Sequence, residues 1–381
     1  MIPALRADCE YPAEGIAYLD HAATGPLAGA ARRAMEVHLD ERARTAPNNF
    51  ETLLPRLEAG RETLAALLGT ETENVEYVPN TSYGINLVSQ GLDWREGDRV
   101  AVPACEFPAN VLPWLALERR GVAVDRIPAP RGRFMPEAVR EIFTPRTRVL
   151  SVSWVQFLSG FRAPLAALAE ICHERGVLLC VDAIQGMGAL RMEMDALGLD
   201  LVASGGHKWM LGPQGAGFVG VSPRLRDRLA PTYGWLNGPV DWDDFGATDL
   251  SLHPDATRFR VGTFASAPIL GLVASAQAFL DAGPAEVERH VLRAAARVAR
   301  GLHAFGFERW GATHDPDSGI VTVEHAAPEA VFDALRRENV WISVRDRKLR
   351  FAPHATTSDE DIDRALDAFA RHEARTAPAA L

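Results

Sequence analysis

The chain has 381 residues, enough for one large domain and a smaller one, and its content of 47% hydrophobic and 24% charged residues is that of an ordinary globular protein. A formal net charge of -10 argues against a nucleic-acid partner, because phosphate binding requires a basic surface. The four cysteines form no CxxC pair, which favours reduced thiols in a cytoplasmic protein over a disulfide scaffold.

Apolar runs alternate with amphipathic stretches from about Tyr18 to Val221, and this alternation predicts an α/β domain. Short β-rich runs at 99–103, 148–153 and 177–182 are typical of strands in a sheet that is covered on both faces. Between these runs, residues 109–120 and 164–175 predict helices, and each stretch ends next to a glycine.

One uncharged stretch, residues 261–280, is long enough to span a bilayer. Glycine, serine, threonine, glutamine and Pro268 dilute its apolar residues, so we predict a buried loop and helix there instead of a membrane span. The first residues of the chain lack the basic and then apolar layout of a signal peptide. Both observations favour a cytoplasmic protein without a membrane partner.

The C-terminal part follows a different pattern. It predicts a strand at 319–323, a helix at 328–337 and a hairpin at 340–351. Ser358 then predicts the N-cap of a last helix that has acidic residues in its first turn. We therefore expect a large domain over residues 18–280, and a small α+β domain formed by residues 1–17 and 281–381.

Hydroxyl groups and free backbone amides occur together at Thr81 and Ser82, directly before a helical pattern. The N-terminus of a helix binds anions through its amides and its dipole, so this segment is a candidate phosphate anchor. A simple helix cap gives the same pattern, and the signal becomes useful only together with other residues.

Asp182 closes the apolar run 177–182, at the carboxyl end of a predicted strand. Ligands of open α/β folds bind at that edge of the sheet. A buried carboxylate is costly unless it is paired, and a protonated pyridine nitrogen would supply the partner. An aspartate that caps the next turn is the alternative interpretation.

The chain contains only two lysines, Lys208 and Lys348, against 38 arginines. An arginine cannot form an imine or transfer a proton, so a lysine in such a chain is a candidate for chemistry. Lys348 lies among charges in the predicted hairpin, which indicates a solvated side chain. Lys208 follows a strand and a run of small residues that would let a bulky ligand approach. Asp182 and Lys208 could reach opposite ends of one aromatic ring.

In this order the motifs resemble the class V aminotransferase family of pyridoxal-phosphate (PLP) enzymes of fold type I, which includes cysteine desulfurases and isopenicillin N epimerases. The resemblance runs from Tyr18 to the last helix and rests on Glu106-Phe-Pro-Ala-Asn, Asp182-Ala-Ile-Gln and Gly-His207-Lys208. It implies PLP as the cofactor and a large domain built on a mostly parallel seven-stranded sheet, with a small C-terminal α+β domain. The eleven histidines show no HExxH or HxH spacing, so no metal site is predicted.

The resemblance also implies which residues surround the cofactor ring. Lys208 would hold PLP as a Schiff base and remove the α-proton of the substrate, and Asp182 would pair with the pyridine nitrogen. Gln185 would hydrogen-bond the ring hydroxyl oxygen. Phe107 stands where many relatives have a histidine that covers the ring, and phenylalanine can stack there but cannot exchange protons.

For the phosphate, the resemblance implies contacts from both subunits of a homodimer with shared active sites. Many relatives have a serine at the position of Gly205, so Ser204 is considered as a substitute contact. The segment that reaches the phosphate of the neighbouring subunit matches positions 262–263 here. The residues implied at the phosphate are Thr81, Ser82, His207, Gly262 and Thr263.

The substrate carboxylate requires a fixed guanidinium group, and two positions compete for that role. Arg345 matches the pattern of desulfurases and Arg350 matches the pattern of kynureninases, and we favour Arg350 slightly. His21, Asn48 and Trp154 are candidates for groups around the bound substrate.

Several reactions remain open. Desulfurases remove sulfur with a cysteine on a C-terminal loop, and no cysteine follows Cys180 here. The other reactions share removal of the α-proton from an amino acid joined to PLP, and then diverge to transamination, epimerisation or β-elimination. Residues 153–162 look most like the isopenicillin N epimerase-like branch. We therefore expect an aminotransferase or epimerase-like activity first, a cysteine or cystine C–S lyase second, and a non-catalytic PLP-binding regulatory protein as the alternative of another class.

Overall fold

The structure is a computed structural model that describes residues 1–9, 11, 15–240, 244, 246, 249–311 and 315–376. Its α-helices are α1 (Pro3–Ala7), α2 (Gly29–Asp40), α3 (Phe50–Leu68), α4 (Thr81–Gly91), α5 (Leu112–Leu115), α6 (Pro136–Ile142), α7 (Leu165–Arg175), α8 (Met194–Leu197), α9 (Pro223–Arg226), α10 (Ser266–Ala282), α11 (Pro284–Ala304), α12 (Pro328–Arg337) and α13 (Asp359–Thr376). Its strands are β1 (Ala17–Tyr18), β2 (Val75–Val78), β3 (Arg99–Pro103), β4 (Ala123–Ile127), β5 (Thr147–Ser153), β6 (Leu178–Asp182), β7 (Leu201–Gly205), β8 (Gly217–Val221), β9 (Val321–Glu324), β10 (Val340–Trp341), β11 (Ser343–Arg345) and β12 (Lys348–Phe351).

Seven strands form one sheet in the order β2-β8-β7-β6-β5-β3-β4. Only β8 runs antiparallel to its two neighbours, β2 and β7, and the other neighbouring pairs are parallel. The predicted mostly parallel seven-stranded sheet is therefore confirmed. Asp182 pairs in register with Ser153 of β5 and with Ala203 of β7, so the carboxyl ends of these three strands meet at one edge. The loop that carries Lys208 begins at that edge.

Residues 109–120 differ from the single helix predicted there. They form two short 3-10 helices, at Pro108–Asn110 and Ala116–Arg120, on either side of α5. Pro113 has no backbone N–H to bond to a preceding turn, and it lies in the first turn of α5, so a new helix begins here instead of continuing through the proline. The prediction for 164–175 is confirmed by α7, and residues 266–282 form α10, which packs against α2 and α3. None of the described helices is both apolar and long enough to cross a lipid bilayer.

A smaller set of strands lies in the C-terminal part. Strands β11, β12 and β9 form an antiparallel sheet in that order, and β10 pairs in parallel with β1 near the N-terminus. The predicted hairpin is thus confirmed for β11 and β12 only. Ser358 accepts a hydrogen bond of 3.1 Å from the backbone N–H of Asp361, which confirms the predicted cap of α13. The division of the chain at residues 17 and 280 remains a prediction.

Helix α11 belongs to two hydrophobic cores. Val287 and Val291, in its first half, pack with the residues under the large sheet. Val298 and Leu302, in its second half, pack with the residues under the small sheet. These apolar positions recur at helical spacing along one face of α11, so a single helix links the two cores.

Candidate active site

A cavity of about 400 Å³ lies at the carboxyl edge of the large sheet, and we call it the lysine cavity. Nine of the fifteen residues named above as candidates for the site line it. Its lining residues are Ala22, Ala23, Thr24, Asn80, Thr81, Ser82, Phe107, Ala109, Phe157, Asp182, Ile184, Gln185, His207, Lys208, Arg345 and Arg350. The structure therefore brings together residues from β6, from the loop after β7, from the start of α4 and from the β11–β12 hairpin.

Asp182 and Lys208 influence each other inside this cavity. Burial raises the pKa of Asp182 to about 6, although the backbone N–H of Ile184, at 3.0 Å from its Oδ1, and the charge of Lys208 lower it. Burial lowers the pKa of Lys208 to about 8, and Asp182 opposes that shift while Arg350 adds to it. A lysine whose amine is partly neutral near neutral pH is suited to act as a nucleophile and as a base.

The start of α4 fits an anion. Asn80 caps the helix, since its Oδ1 accepts a hydrogen bond of 2.9 Å from the N–H of Tyr83. The Oγ1 of Thr81 is buried and has no hydrogen-bond partner among the described residues. Buried hydroxyl groups are normally paired, and the N-terminus of a helix favours negative charge. A phosphate group at this end of the cavity would satisfy the hydroxyl, with Ser82 and His207 beside it.

Gln185 is held from two sides. Its Nε2 donates to the carbonyl oxygen of Ala22 at 3.0 Å, and its Oε1 accepts from the Nε1 of Trp209 at 2.8 Å. One of the two hydrogens on the Nε2 of Gln185 takes part in neither of these bonds. Trp209 was not among the predicted residues. It follows Lys208 directly in the chain, but only the folded loop places its indole against Gln185.

His21 does not line the lysine cavity. It is fully buried, its ring stacks on that of His354 with 4.8 Å between centroids, and its Nδ1 donates to the carbonyl oxygen of Ala352 at 3.0 Å. Burial lowers the pKa of His21 well below its ordinary value, so the ring is neutral. Asn48 and Trp154 do not line the cavity either.

Ser204 is also absent from the lining of the lysine cavity. It is fully buried within β7, and its Oγ donates to the carbonyl oxygen of Gly205 at 3.1 Å. Gly262 and Thr263 line a separate cavity of about 260 Å³, together with Tyr77 and Arg260. Their predicted contact with a neighbouring subunit remains a prediction.

The two candidate arginines both line the lysine cavity, but their surroundings differ. Arg350 is 2% exposed, and it donates from Nε to the Oγ of Ser343 at 3.2 Å and from Nη1 to the carbonyl oxygen of Phe157 at 2.7 Å. Burial lowers the pKa of Arg350 to about 10. Arg345 is exposed at the turn end of β11. Burial and two hydrogen bonds thus hold the guanidinium of Arg350 in one place, whereas the exposed side chain of Arg345 is free to change its conformation.

Phe107 faces Lys208 across the cavity, with 5.8 Å between the Nζ of the lysine and the centroid of the ring. The neighbouring residue, Glu106, anchors this loop and was not predicted to do so. Its carboxylate accepts hydrogen bonds of 2.7 Å from the backbone N–H of Ser153 and from the Nε2 of Gln156. Burial raises the pKa of Glu106 to about 7. The two hydrogen bonds of Glu106 hold the backbone next to Phe107, and the ring of Phe107 forms one wall of the cavity.

The described part of the chain has no group of three or more residues that could hold a metal ion. The lining of the lysine cavity instead matches the chemistry of a phosphorylated pyridine aldehyde. It offers an amine for the aldehyde, a buried carboxylate for the ring nitrogen and, at the start of α4, an unpaired hydroxyl for the phosphate. This fold and this cavity define a PLP-dependent enzyme of fold type I.

Comparison with known proteins identifies the family. Residues 17–346 match the family model for aminotransferase class-V, and the chain belongs to that PLP-dependent family. A probable cysteine desulfurase of Methanothermobacter thermautotrophicus is 31% identical over 75% of this chain and 71% of its own length. A probable cysteine desulfurase of Pseudomonas aeruginosa is 34% identical over 77% of this chain and 75% of its own length. An uncharacterized aminotransferase of Bacillus subtilis is 26% identical over 84% of this chain and 85% of its own.

Solved structures share the fold. A cystine C–S lyase in complex with its reaction product cysteine persulfide superimposes with a TM-score of 0.88, at 22% identity, over 97% of this chain and 99% of that one. A cysteine desulfurase from Thermococcus onnurineus gives a TM-score of 0.87, at 21% identity, over 98% of both chains. At this level of identity the two structures support the fold only.

Proposed function

We propose that the protein is a PLP-dependent C–S lyase that acts on L-cysteine or L-cystine without a catalytic cysteine. One observation carries the proposal: the lysine cavity combines a lysine, a buried aspartate and two arginines with no thiol in its lining. The relatives are named as cysteine desulfurases, yet no cysteine follows Cys180 in this chain. A sulfur-containing amino acid whose sulfur leaves without a protein nucleophile accounts for both facts.

In this proposal the chain supplies binding and proton transfer. PLP, when bound, supplies an electron-accepting ring that stabilises negative charge at the substrate α-carbon. Lys208 removes the α-proton, since its lowered pKa leaves part of the amine neutral near neutral pH. Asp182 holds a proton on the pyridine nitrogen, and Arg350 binds the substrate carboxylate through its buried, fixed guanidinium.

The overall reaction on cystine balances without an added oxidant or reductant. The Cβ–S bond breaks, and the sulfur leaves with both electrons as cysteine persulfide. One water is consumed, and the remaining three carbons become pyruvate while their nitrogen becomes ammonia. A desulfurase would instead leave alanine, so the product distinguishes the two reactions.

Epimerisation, which the sequence favoured together with transamination, has weaker support from the cavity. It requires a proton donor on the face opposite Lys208, and that face presents Phe107, which has no exchangeable proton. Transamination stays a second candidate, because Lys208 can return a proton from its own side and a Bacillus subtilis relative is named an aminotransferase. We also propose a cytoplasmic homodimer in which Gly262 and Thr263 reach the partner's phosphate site.

The experiment starts from the visible absorbance of the purified protein. Wild type should show an imine band that borohydride abolishes, Lys208→Ala should lack it, and the matched control Lys348→Ala should keep it. L-Cystine and L-cysteine are then assayed for pyruvate, ammonia and alanine, and other amino acids for keto acid and for loss of optical rotation. Pyruvate with ammonia supports the lyase, whereas alanine, or a keto acid without ammonia release, would overturn it.

A further inference from the structure

Phe157 contributes a second aromatic ring to the lysine cavity, beside that of Phe107. The two rings meet edge to face, with 5.3 Å between their centroids. The backbone carbonyl oxygen of Phe157 accepts a 2.7 Å hydrogen bond from the Nη1 of Arg350. Phe157 is therefore in contact both with the ring that faces Lys208 and with the arginine proposed to bind the substrate carboxylate.

Buried hydrogen bonds also hold the backbone that follows Phe157. The Oγ1 of Thr322 donates to the carbonyl oxygen of Leu158 at 2.5 Å. The Oγ of Ser318 donates to the carbonyl oxygen of Gly160 at 2.6 Å. A buried carbonyl oxygen that lost its donor would be left unsatisfied, so this segment resists displacement. The backbone that carries the ring of Phe157 is therefore in place before a substrate binds.

The ring of Phe157 is an apolar surface where a substrate side chain begins. In the proposed function the substrate carboxylate is bound by Arg350, and the α-carbon lies within reach of Lys208. Because Phe157 touches this arginine and the wall opposite this lysine, the side chain extends from a carbon that lies close to its ring. The ring has no hydrogen-bonding group. A hydroxyl group placed against it loses its bonds to water without replacement, whereas an alkyl group leaves water favourably.

We propose that Phe157 contacts the substituent on the substrate sulfur, and that S-alkyl-L-cysteines are therefore substrates in addition to cysteine and cystine. This inference rests on the proposed function and deepens it, because it adds a substrate class and the residue that selects it. The Cβ–S bond breaks, and the sulfur leaves with both electrons and takes up a proton to form an alkanethiol. One water is consumed, and the remaining three carbons and nitrogen become pyruvate and ammonia.

The kinetic test compares S-propyl-L-cysteine with S-(2-hydroxyethyl)-L-cysteine, in which a hydroxyl group replaces the terminal methyl group. The ratio of kcat/KM for the first to that for the second should fall at least about tenfold from wild type to Phe157→Gln. Both enzymes break the same two bonds, so the difference between the leaving thiols cancels in this comparison. Phe157→Leu keeps an apolar surface and should keep the ratio within about threefold. The matched control Phe305→Gln, at an exposed ring outside the lining, should keep the wild-type ratio. An unchanged ratio in Phe157→Gln would overturn the inference.

A binding test separates this inference from the proposed reaction. L-2-Aminoheptanoate has the chain length of S-propyl-L-cysteine without its sulfur, and L-6-hydroxynorleucine has a hydroxyl group in place of the terminal methyl group. Both are titrated against the holoenzyme by the change in visible absorbance. Wild type should bind the first at least about tenfold more tightly, and Phe157→Gln should bind the two within about threefold of each other. That result would support the apolar contact even if no C–S bond were broken. Equal binding of the two compounds to wild type would overturn it.

Discussion

The indole N–H of Trp209 donates a 2.8 Å hydrogen bond to the Oε1 of Gln185, so the residue after Lys208 holds a side chain that lines the same cavity. The carbonyl oxygen of Trp209 in turn accepts a 2.9 Å hydrogen bond from the Nε2 of His354. The loop that carries Lys208 is thus bonded both to the loop after β6 and to the segment after β12. Its geometry depends on both parts of the fold.

Trp209→Phe should weaken both stability and cofactor binding. The substitution leaves the Oε1 of Gln185 without its donor, and an unsatisfied buried acceptor costs about 1–3 kcal/mol. Denaturant unfolding measures the first effect, and PLP titration of the apoprotein measures the second. Trp310→Phe, in a half-buried ring 4.8 Å from the Nζ of Lys348, should change the unfolding free energy by less than about 1 kcal/mol. Equal effects of the two variants would contradict the role of the hydrogen bond.

The rate at which the apoprotein takes up PLP should rise with pH, with a midpoint near the pKa of Lys208, about 8. Only the neutral amine is nucleophilic, so uptake increases as the proton leaves. Arg350 lowers the pKa of Lys208, so Arg350→Ala should move the midpoint to higher pH. Stopped-flow absorbance follows the uptake. Arg337→Ala should keep the wild-type midpoint, and a midpoint that does not move in Arg350→Ala would be evidence against this coupling.

His354 should make the protein less stable in mild acid. Burial of the fully enclosed ring lowers the pKa of His354 from 6.5 to about 4, although the hydrogen bonds from its Nε2 to the carbonyl oxygens of Gly188 and Trp209 oppose that shift. In the unfolded chain His354 therefore binds a proton below about pH 6.5, whereas in the folded protein it binds one only below about pH 4. The free energy of unfolding falls as the pH is lowered between these two values. His354→Gln should reduce the slope of unfolding free energy against pH by up to about 1.4 kcal/mol per pH unit. An unchanged slope in His354→Gln would contradict this role of His354.

Arg347→Gly should stabilise the protein. The turn between β11 and β12 holds Asp346 at φ 47° and Arg347 at φ 56°, both in the left-handed region that favours glycine. Removing the side-chain strain at Arg347 should add about 0.5–1 kcal/mol, after the greater entropy of an unfolded glycine is subtracted. Thermal unfolding measures this gain in stability. Arg300→Gly, at an exposed position within α11, should instead cost about 1 kcal/mol. A loss of stability in Arg347→Gly would contradict the strain.

Removing one partner of the buried ion pair of Glu76 and Arg260 should strongly destabilise the protein. Glu76 is 1% exposed and its Oε2 accepts from the Nη2 of Arg260 at 3.0 Å. Arg260→Met leaves the carboxylate without this partner and should cost about 3 kcal/mol or more in unfolding free energy, and Glu76→Gln in the same chain should recover most of it. Arg99→Met, which breaks a partly exposed pair with Asp125, should cost about 1 kcal/mol or less. Similar losses in the two single variants would argue against burial as the cause.

Local patterns were sufficient to predict the parts of the fold that depend on neighbouring residues. The apolar run 177–182 predicted β6 and placed Asp182 at its end, and Ser358 predicted the start of α13, because strand burial and helix capping are written in a few adjacent positions. Thr81 was likewise predicted to precede a helical stretch, and α4 begins at that residue. The family resemblance then joined these separate signals into one cavity.

Pairings between distant segments could not be predicted in this way. The stacking of His21 on His354 joins two segments near opposite ends of the chain, and no periodicity reports such a contact. The strand β10 pairs with β1 and not with its neighbour β11, although all three have the same local pattern. The bond from Trp209 to Gln185 likewise depends on two loops that meet only in the folded sheet.

The scarcity of lysine has a consequence for the protein in alkali. Arginine supplies 38 of the 40 lysine and arginine side chains, and a guanidinium keeps its proton to above about pH 12, whereas an ordinary lysine discharges near about pH 10. Burial also raises the pKa of the thiols of Cys9 and Cys105 to about 12. The positive charge of the arginine side chains therefore stays nearly constant between about pH 10 and pH 12, where proteins rich in lysine lose theirs.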